Sequence, residues 1–150
     1  MSEVGFYHLR TMPLERALPQ LLERGLASGH RIVVMAGSEE RVMALDALLW
    51  TWREDSFLPH GTRRDGHPAR QPVYLTAEDE NPNGATMLVL IDGVRSTRQQ
   101  GFGRVCDMFD GNDEEALASA RQRWREAKAA GHTLVYWQQT ETGWEKRSGG

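Results

Sequence analysis

The stretch RIVVMA, residues 31–36, constrains the fold of this chain more than any other. An unbroken apolar run of this length, with no polar alternation, suits a strand buried on both faces, the habit of parallel sheets covered by helices. Its surroundings keep the matching rhythm. Residues 4–9 read as a strand, and Pro13 suits a helix start. Leu14, Ala17, Leu18, Leu21, Leu22 and Leu26 then recur at helical spacing until Gly29. After the apolar run, Ser38 is a good N-cap, and Glu39 and Glu40 favour the helix N-terminus. That helix continues through Val42, Leu45, Leu48 and Leu49 to about Trp52.

A polar stretch over 59–71 follows, carrying Arg63, Arg64 and Arg70. Residues 73–76 and 87–91 read as strands joined by the turn-rich AEDENPNG. The segment 95–102 fits a short helix or a turn, and 104–109 another strand. A last helix is expected from 114 to about 130, stopped by Gly131, then a strand at 133–138 and a frayed tail over 145–150. Strands alternating with helices in this way predict a single α/β domain over residues 1–150, with a largely parallel sheet and helices on both faces.

Composition narrows the function. With 150 residues, 39% hydrophobic and 26% charged, the chain matches an ordinary globular protein. No apolar run approaches the ~18 residues of a membrane span. MSEVGFYHLR lacks the basic and then apolar segments of a secretory signal, and a lone Cys106 cannot form an internal disulfide. The expectation is a cytoplasmic protein without a membrane partner. A net charge of −3 argues against a general nucleic-acid binder while leaving room for a local basic patch.

The strand ends, where such sheets often bind ligands, offer little chemistry. HLRTMP has neither dinucleotide glycine spacing nor a P-loop, and the two acids in AGSEE would repel a phosphate. The GFG at 101–103 precedes a strand rather than a helix. The histidines, His8, His30, His60, His67 and His132, lack metal-ligand spacing, and Asp92 reads as a strand-end turn residue. No catalytic constellation, cofactor or metal site is expected.

Two surfaces stand out. In LLWTWREDSFLPH, residues 48–60, Trp50, Trp52 and Phe57 gather where a helix gives way to a loop, either closing the core or forming an apolar protein anchor. In ARQRWREAKAAGH, residues 120–132, Arg121, Arg123, Arg125 and Lys128 surround Trp124. At about 100° per residue, Leu117, Arg121, Trp124 and Lys128 share one stripe with Arg125 at its edge, beside a small-residue stripe of Ala116, Ala120 and Ala127. Helix-dipole complementarity accounts for cations in the last turn but not for Arg121 beside an indole. The stripe suits either an acidic peptide with an apolar residue or a stacked base with its phosphates.

These segments, with FYHL, GHRIVVMAGSEERVMALDALLW, DSFLPH and ENPNGATMLVLIDG, resemble in order and interval the chi subunit family of bacterial DNA polymerase III holoenzyme. The likeness covers nearly the whole chain. It implies a Rossmann-like three-layer domain without a nucleotide site, acting as a non-catalytic adaptor in DNA replication. Chi-like proteins bind the acidic, Phe-terminated C-terminal tail of single-stranded DNA-binding protein (SSB), and so associate indirectly with single-stranded DNA. The resemblance places that contact at Arg121 and Trp124, where relatives often carry tyrosine for Trp124 and some carry lysine for Leu117. Helical geometry adds Arg125 and Lys128. The family's second partner, psi, links chi to the clamp loader through aromatics that match Trp50 and Phe57, a surface some relatives use for a DNA-repair helicase. Direct binding of single-stranded nucleic acid, or less naturally a small nucleotide-dependent enzyme, are the alternatives.

Overall fold

The computed structural model describes residues 2–52 and 58–148. The two apolar runs become β2 (Ile32–Met35) and β4 (Met87–Leu90), every residue of both buried. Around them lie β1 (Glu3–Leu9), β3 (Val73–Thr76), β5 (Arg104–Asp110), β6 (Thr133–Gln139) and β7 (Trp144–Ser148). They form one seven-stranded sheet in the order β3-β2-β4-β5-β1-β6-β7. Every neighbouring pair is parallel except β6–β7, an antiparallel hairpin.

The connections follow from the handedness of parallel crossovers. Helices α1 (Leu14–Ala27) and α2 (Glu39–Thr51) carry the chain from β1 towards the β3 edge. The returns through β4 and β5, and then α3 (Glu114–Ala129), carry it towards β6. Right-handed crossovers running in opposite directions must cover opposite faces. Accordingly Leu18 and Leu22 of α1 and Val42, Leu45 and Leu49 of α2 pack with Val34, Val89, Cys106 and Met108. Ala120 and Ala127 of α3 pack on the other face with Val4, Phe6, Val105 and Leu134. The result is the expected three-layer α/β arrangement, with helices on both faces.

Two local features differ from the sequence expectation or refine it. Residues 145–148 are not a frayed end: they belong to β7, held on β6 in register Gln138↔Glu145 and Trp137↔Lys146. The cause is Trp144, whose ring meets Tyr7 edge-on at 5.2 Å and extends the core under the hairpin. The 95–102 segment is a loop with one 3-10 turn, Gln99–Gly101. Asp79 fixes it by accepting from Ser96 Oγ (2.6 Å) and from Thr97 N and Oγ1 (both 2.8 Å). Among the described residues, no helix is long and apolar enough to cross a membrane.

Candidate functional site

Helix α3 is built to hold one orientation. Its N-cap, Asp113, accepts from the N–H groups of Glu115 (2.9 Å) and Ala116 (3.3 Å). Gly131, at φ +85°, closes the other end while the N–H of His132 returns to the carbonyl of Ala127. Rotation about the axis is set from beneath. Asp107 sits mid-strand in β5 with its side chain 3% exposed, and Arg123, 5% exposed, forks onto it at 2.7 and 3.0 Å. A third bond runs from Arg123 Nη1 to Ser119 Oγ at 2.6 Å. Burial pushes the Asp107 carboxyl above its ordinary value, and the guanidinium against it pulls the other way. Arg123 thus leaves the cationic surface to which sequence reading assigned it. Ala120 and Ala127 on the same stripe give the guanidinium the room it uses.

With that stripe fixed downward, Leu117, Arg121, Trp124 and Arg125 line one cavity of about 320 Å³, whose wall is completed by Ala120, Phe109 and Tyr136. Trp124 meets Phe6 edge-on at 5.3 Å and Tyr136 at 5.8 Å, so the indole is anchored in the core and only half-buried. Below the cavity His8 packs on Phe109, ring centroids 5.3 Å apart, and its Nδ1 lies 2.6 Å from the Tyr136 hydroxyl. A Cβ at Gly111 would collide with the His8 ring and the Leu9 carbonyl, so glycine is needed for the ring to lie there. Burial holds the His8 pKa below its usual value, helped by the charges of Arg10 and Arg121 and opposed by Asp110. Burial likewise raises Tyr136, against the pull of Arg121.

The cation on the rim is available. Arg121 is exposed and has neither hydrogen bond nor ion pair among the described residues, whereas Arg95 is bound by Glu126 and Arg41 by Asp92 and Glu15. Among the described residues, Arg125 makes only a 2.9 Å bond, to Gln122 on its own helix. Lys128 is exposed further along α3 and does not reach the cavity. Phe109 and Tyr136 are the contributors that sequence reading missed. Their signal was strand parity: they share a face with Val105 and Leu134, Phe109 one residue before the end of β5 and Tyr136 at the middle of β6.

A second depression, about 800 Å³, opens between the 10–15 and 110–116 segments, where adjacent β1 and β5 send their connections to opposite faces. This is the switch point at which open α/β sheets commonly bind nucleotides. Here five carboxylates, Glu15, Asp92, Asp110, Asp113 and Glu115, face three arginines, Arg10, Arg41 and Arg123, of which Arg41 and Arg123 are already bound to carboxylates. Asp92, at φ +58°, spends its own oxygens on Gly37 N (3.0 Å) and Arg41 Nε (3.2 Å), a strand-end brace. The phosphate-loop position is also filled. Gln139 Oε1 accepts from the consecutive N–H groups of Arg10, Thr11 and Met12 at 2.8–2.9 Å.

The aromatic cluster is divided. Trp50 is 56% exposed and lies against the ring of buried His60, centroids 4.9 Å apart. His60 Nδ1 meets the Leu58 carbonyl at 2.7 Å, and Nε2 lies 3.0 Å from Asp46 Oδ1. Trp52 turns inward and donates to Glu23 at 3.0 Å. Phe57, assigned with Trp50, lies outside the described residues.

A family model described as DNA polymerase III chi subunit, HolC, matches residues 1–135. The chain belongs to this family. A probable DNA polymerase III subunit chi of Rickettsia prowazekii (strain Madrid E) is 34% identical over 91 residues, 61% of this chain. The match spans about half of that relative, 55% of its length. In this chi-family chain the α3 cavity and the Trp50 surface lie on different helices and on opposite faces of the sheet.

Proposed function

We propose that this chain is a non-catalytic adaptor of the bacterial replicative polymerase, joining the clamp loader to SSB-coated single strands. The α3 cavity takes the acidic C-terminal tail of SSB. Arg121 pairs with a tail carboxylate while Leu117, Trp124, Phe109 and Tyr136 receive the terminal aromatic side chain. Arg125 supports the rim; Lys128 contributes charge from further along the helix. Trp50, with Phe57, forms the contact for psi or, alternatively, for a DNA-repair helicase. Family membership supports the replication role, and the observation that carries the tail assignment is an unpaired arginine on the rim of an apolar cavity in a chain of net charge −3. Carboxylates elsewhere would repel nucleic-acid phosphates, while this one site suits a short peptide whose apolar end is anionic.

A short peptide held by the Arg121 charge pair and one buried ring binds at roughly micromolar affinity, which several tails on one strand raise further. The test is capture from the native cell extract. Arg121→Ala should lose SSB and keep the clamp-loader component, and Trp50→Ala should do the reverse. Retention of SSB by Arg121→Ala contradicts the cavity assignment; tight binding of naked single-stranded DNA by the isolated protein favours the nucleic-acid reading instead.

A further inference from the structure

We propose that His8 is a positioning residue of the α3 cavity, acting through the Tyr136 wall and coupling the binding of an acidic peptide to the uptake of a proton. This rests on the cavity being a peptide site.

His8 does not line the cavity; it stands behind two residues that do. Its ring packs on Phe109, its register partner in β5, at 5.3 Å and meets Tyr136 at 5.9 Å. Its Nδ1 lies 2.6 Å from the Tyr136 hydroxyl, so one hydrogen bond joins the imidazole to the cavity wall. The place is made for the ring, since any Cβ at residue 111 would overlap it. The other histidines with bonds of their own, His30, His60 and His132, meet Thr86, Leu58 and Ser2, none of which lines the cavity.

That hydrogen bond depends on the charge of the ring. A neutral imidazole allows Nδ1 to accept the phenol proton, whereas an imidazolium carries a proton on Nδ1 and can only donate it to the phenol oxygen. The proton comes from solvent, and the Tyr136 O–H is then released to another acceptor. The wall gains a free donor with a positive charge one hydrogen bond behind it, and both favour a carboxylate in the cavity.

The surroundings supply the coupling. Arg10 on its own strand, Arg121 from α3 and Asp110 at the end of β5 are the charges that bear on His8, and the Tyr136 phenol of β6 is the titratable group bonded to it. Arg10 and Asp110 stay as they are when the cavity fills. Arg121 does not: a peptide carboxylate paired with it cancels its opposition to an imidazolium. Peptide binding thus favours protonation of His8, and protonation favours the peptide by the same factor.

The test is calorimetric titration of the full chain with a Phe-ended acidic peptide, in two buffers of different ionisation heat, joined with proton NMR of the His8 ring. We expect wild type to bind about threefold to tenfold more tightly at about pH 5.5 than at about pH 7.5, a range in which the peptide carboxylates stay ionised. Binding should take up a fraction of a proton, and the His8 resonance should titrate at higher pH in the peptide-saturated chain than in the free one. His8→Gln should lose the pH dependence, and Tyr136→Phe, which keeps the ring without the hydroxyl, should lose part of it. A wild-type pH dependence in His8→Gln or in Tyr136→Phe, or a His8 resonance that titrates alike with and without peptide, overturns the coupling. Should His8→Gln not fold, the wild-type resonance decides. Equal wild-type affinity across the range overturns the coupling and leaves the peptide site standing. Failure of wild type to bind the peptide at any pH overturns the site, and the coupling with it.

Discussion

Arg123 shows how one residue sets the behaviour of a surface it does not belong to. Its bidentate bond to Asp107 is sealed under α3, so neither partner can be removed alone without burying an unpaired charge. Arg123→Met should therefore cost about 3–5 kcal/mol in urea denaturation, whereas Arg123→Met with Asp107→Leu should recover most of it. Equal losses in the single and double variants would show that the pair is not the origin. His8 offers a second check at this scale. Its pKa in the fold lies below the 6.5 of a free imidazole. As pH falls below about 6.5 the unfolded chain takes up this proton first, so the folded state loses stability until the pH passes below the His8 value in the fold. Above 6.5 both states are neutral and the residue adds no slope. The melting temperature of wild type should thus fall more steeply than that of His8→Gln between pH 7 and 5; parallel profiles would exclude His8 as the source.

At the scale of elements, the sequence was most legible where one signal acted alone. The unalternated run at 31–36 read as a doubly buried strand and became β2 at Ile32–Met35, and Ser38 read as the N-cap that it is. It was least legible where two elements had to be known together. Asp107 in RVCDMFD shares parity with Val105 and Phe109, so it needed a cation from the covering helix. Arg123, three residues after Ala120 and four before Ala127, lay on the right stripe. Neither half means anything without the pairing of α3 with β5. The cavity has the same character: Leu117, Arg121 and Trp124 could be read from helical spacing, but Tyr136 and Phe109 come from strands that α3 meets only in the fold. Trp124 belongs to both sets. Its contacts with Phe6 and Tyr136 mean that Trp124→Ala should destabilise the fold as well as abolish peptide binding, by less than the ~3–5 kcal/mol of a fully buried tryptophan. Trp124→Tyr should keep a wild-type urea midpoint and much of the binding. If Trp124→Ala kept full peptide affinity, the indole would not be part of the pocket.

For the whole molecule, the sheet order sets the two candidate surfaces apart. Connections towards the β3 edge place α1 and α2 on one face, and connections towards β6 place α3 on the other. Trp50 and the α3 cavity are thereby separated by the full thickness of the sheet, an arrangement that the proposed adaptor role would use. The position that serves catalysis or nucleotide binding in other α/β sheets is lined here by carboxylates and arginines together, with Arg41 and Arg123 spent on carboxylates, and the turn that would hold a phosphate is closed by Gln139. The β7 hairpin closes the β6 side, and its Trp144 completes the packing around Tyr7. Removing residues 144–150 should lower the melting temperature by several degrees; a truncated chain that melts like wild type would show that β7 adds no stability.

The central claim is that an unpaired Arg121 beside an apolar cavity receives another protein's acidic tail. Calorimetric titration with a synthetic acidic peptide ending in phenylalanine tests it most directly. Wild type should bind at roughly micromolar strength, more weakly as salt rises. Arg121→Ala, with an unchanged melting temperature, should lose at least about tenfold. Equal affinity in the two proteins would contradict the account.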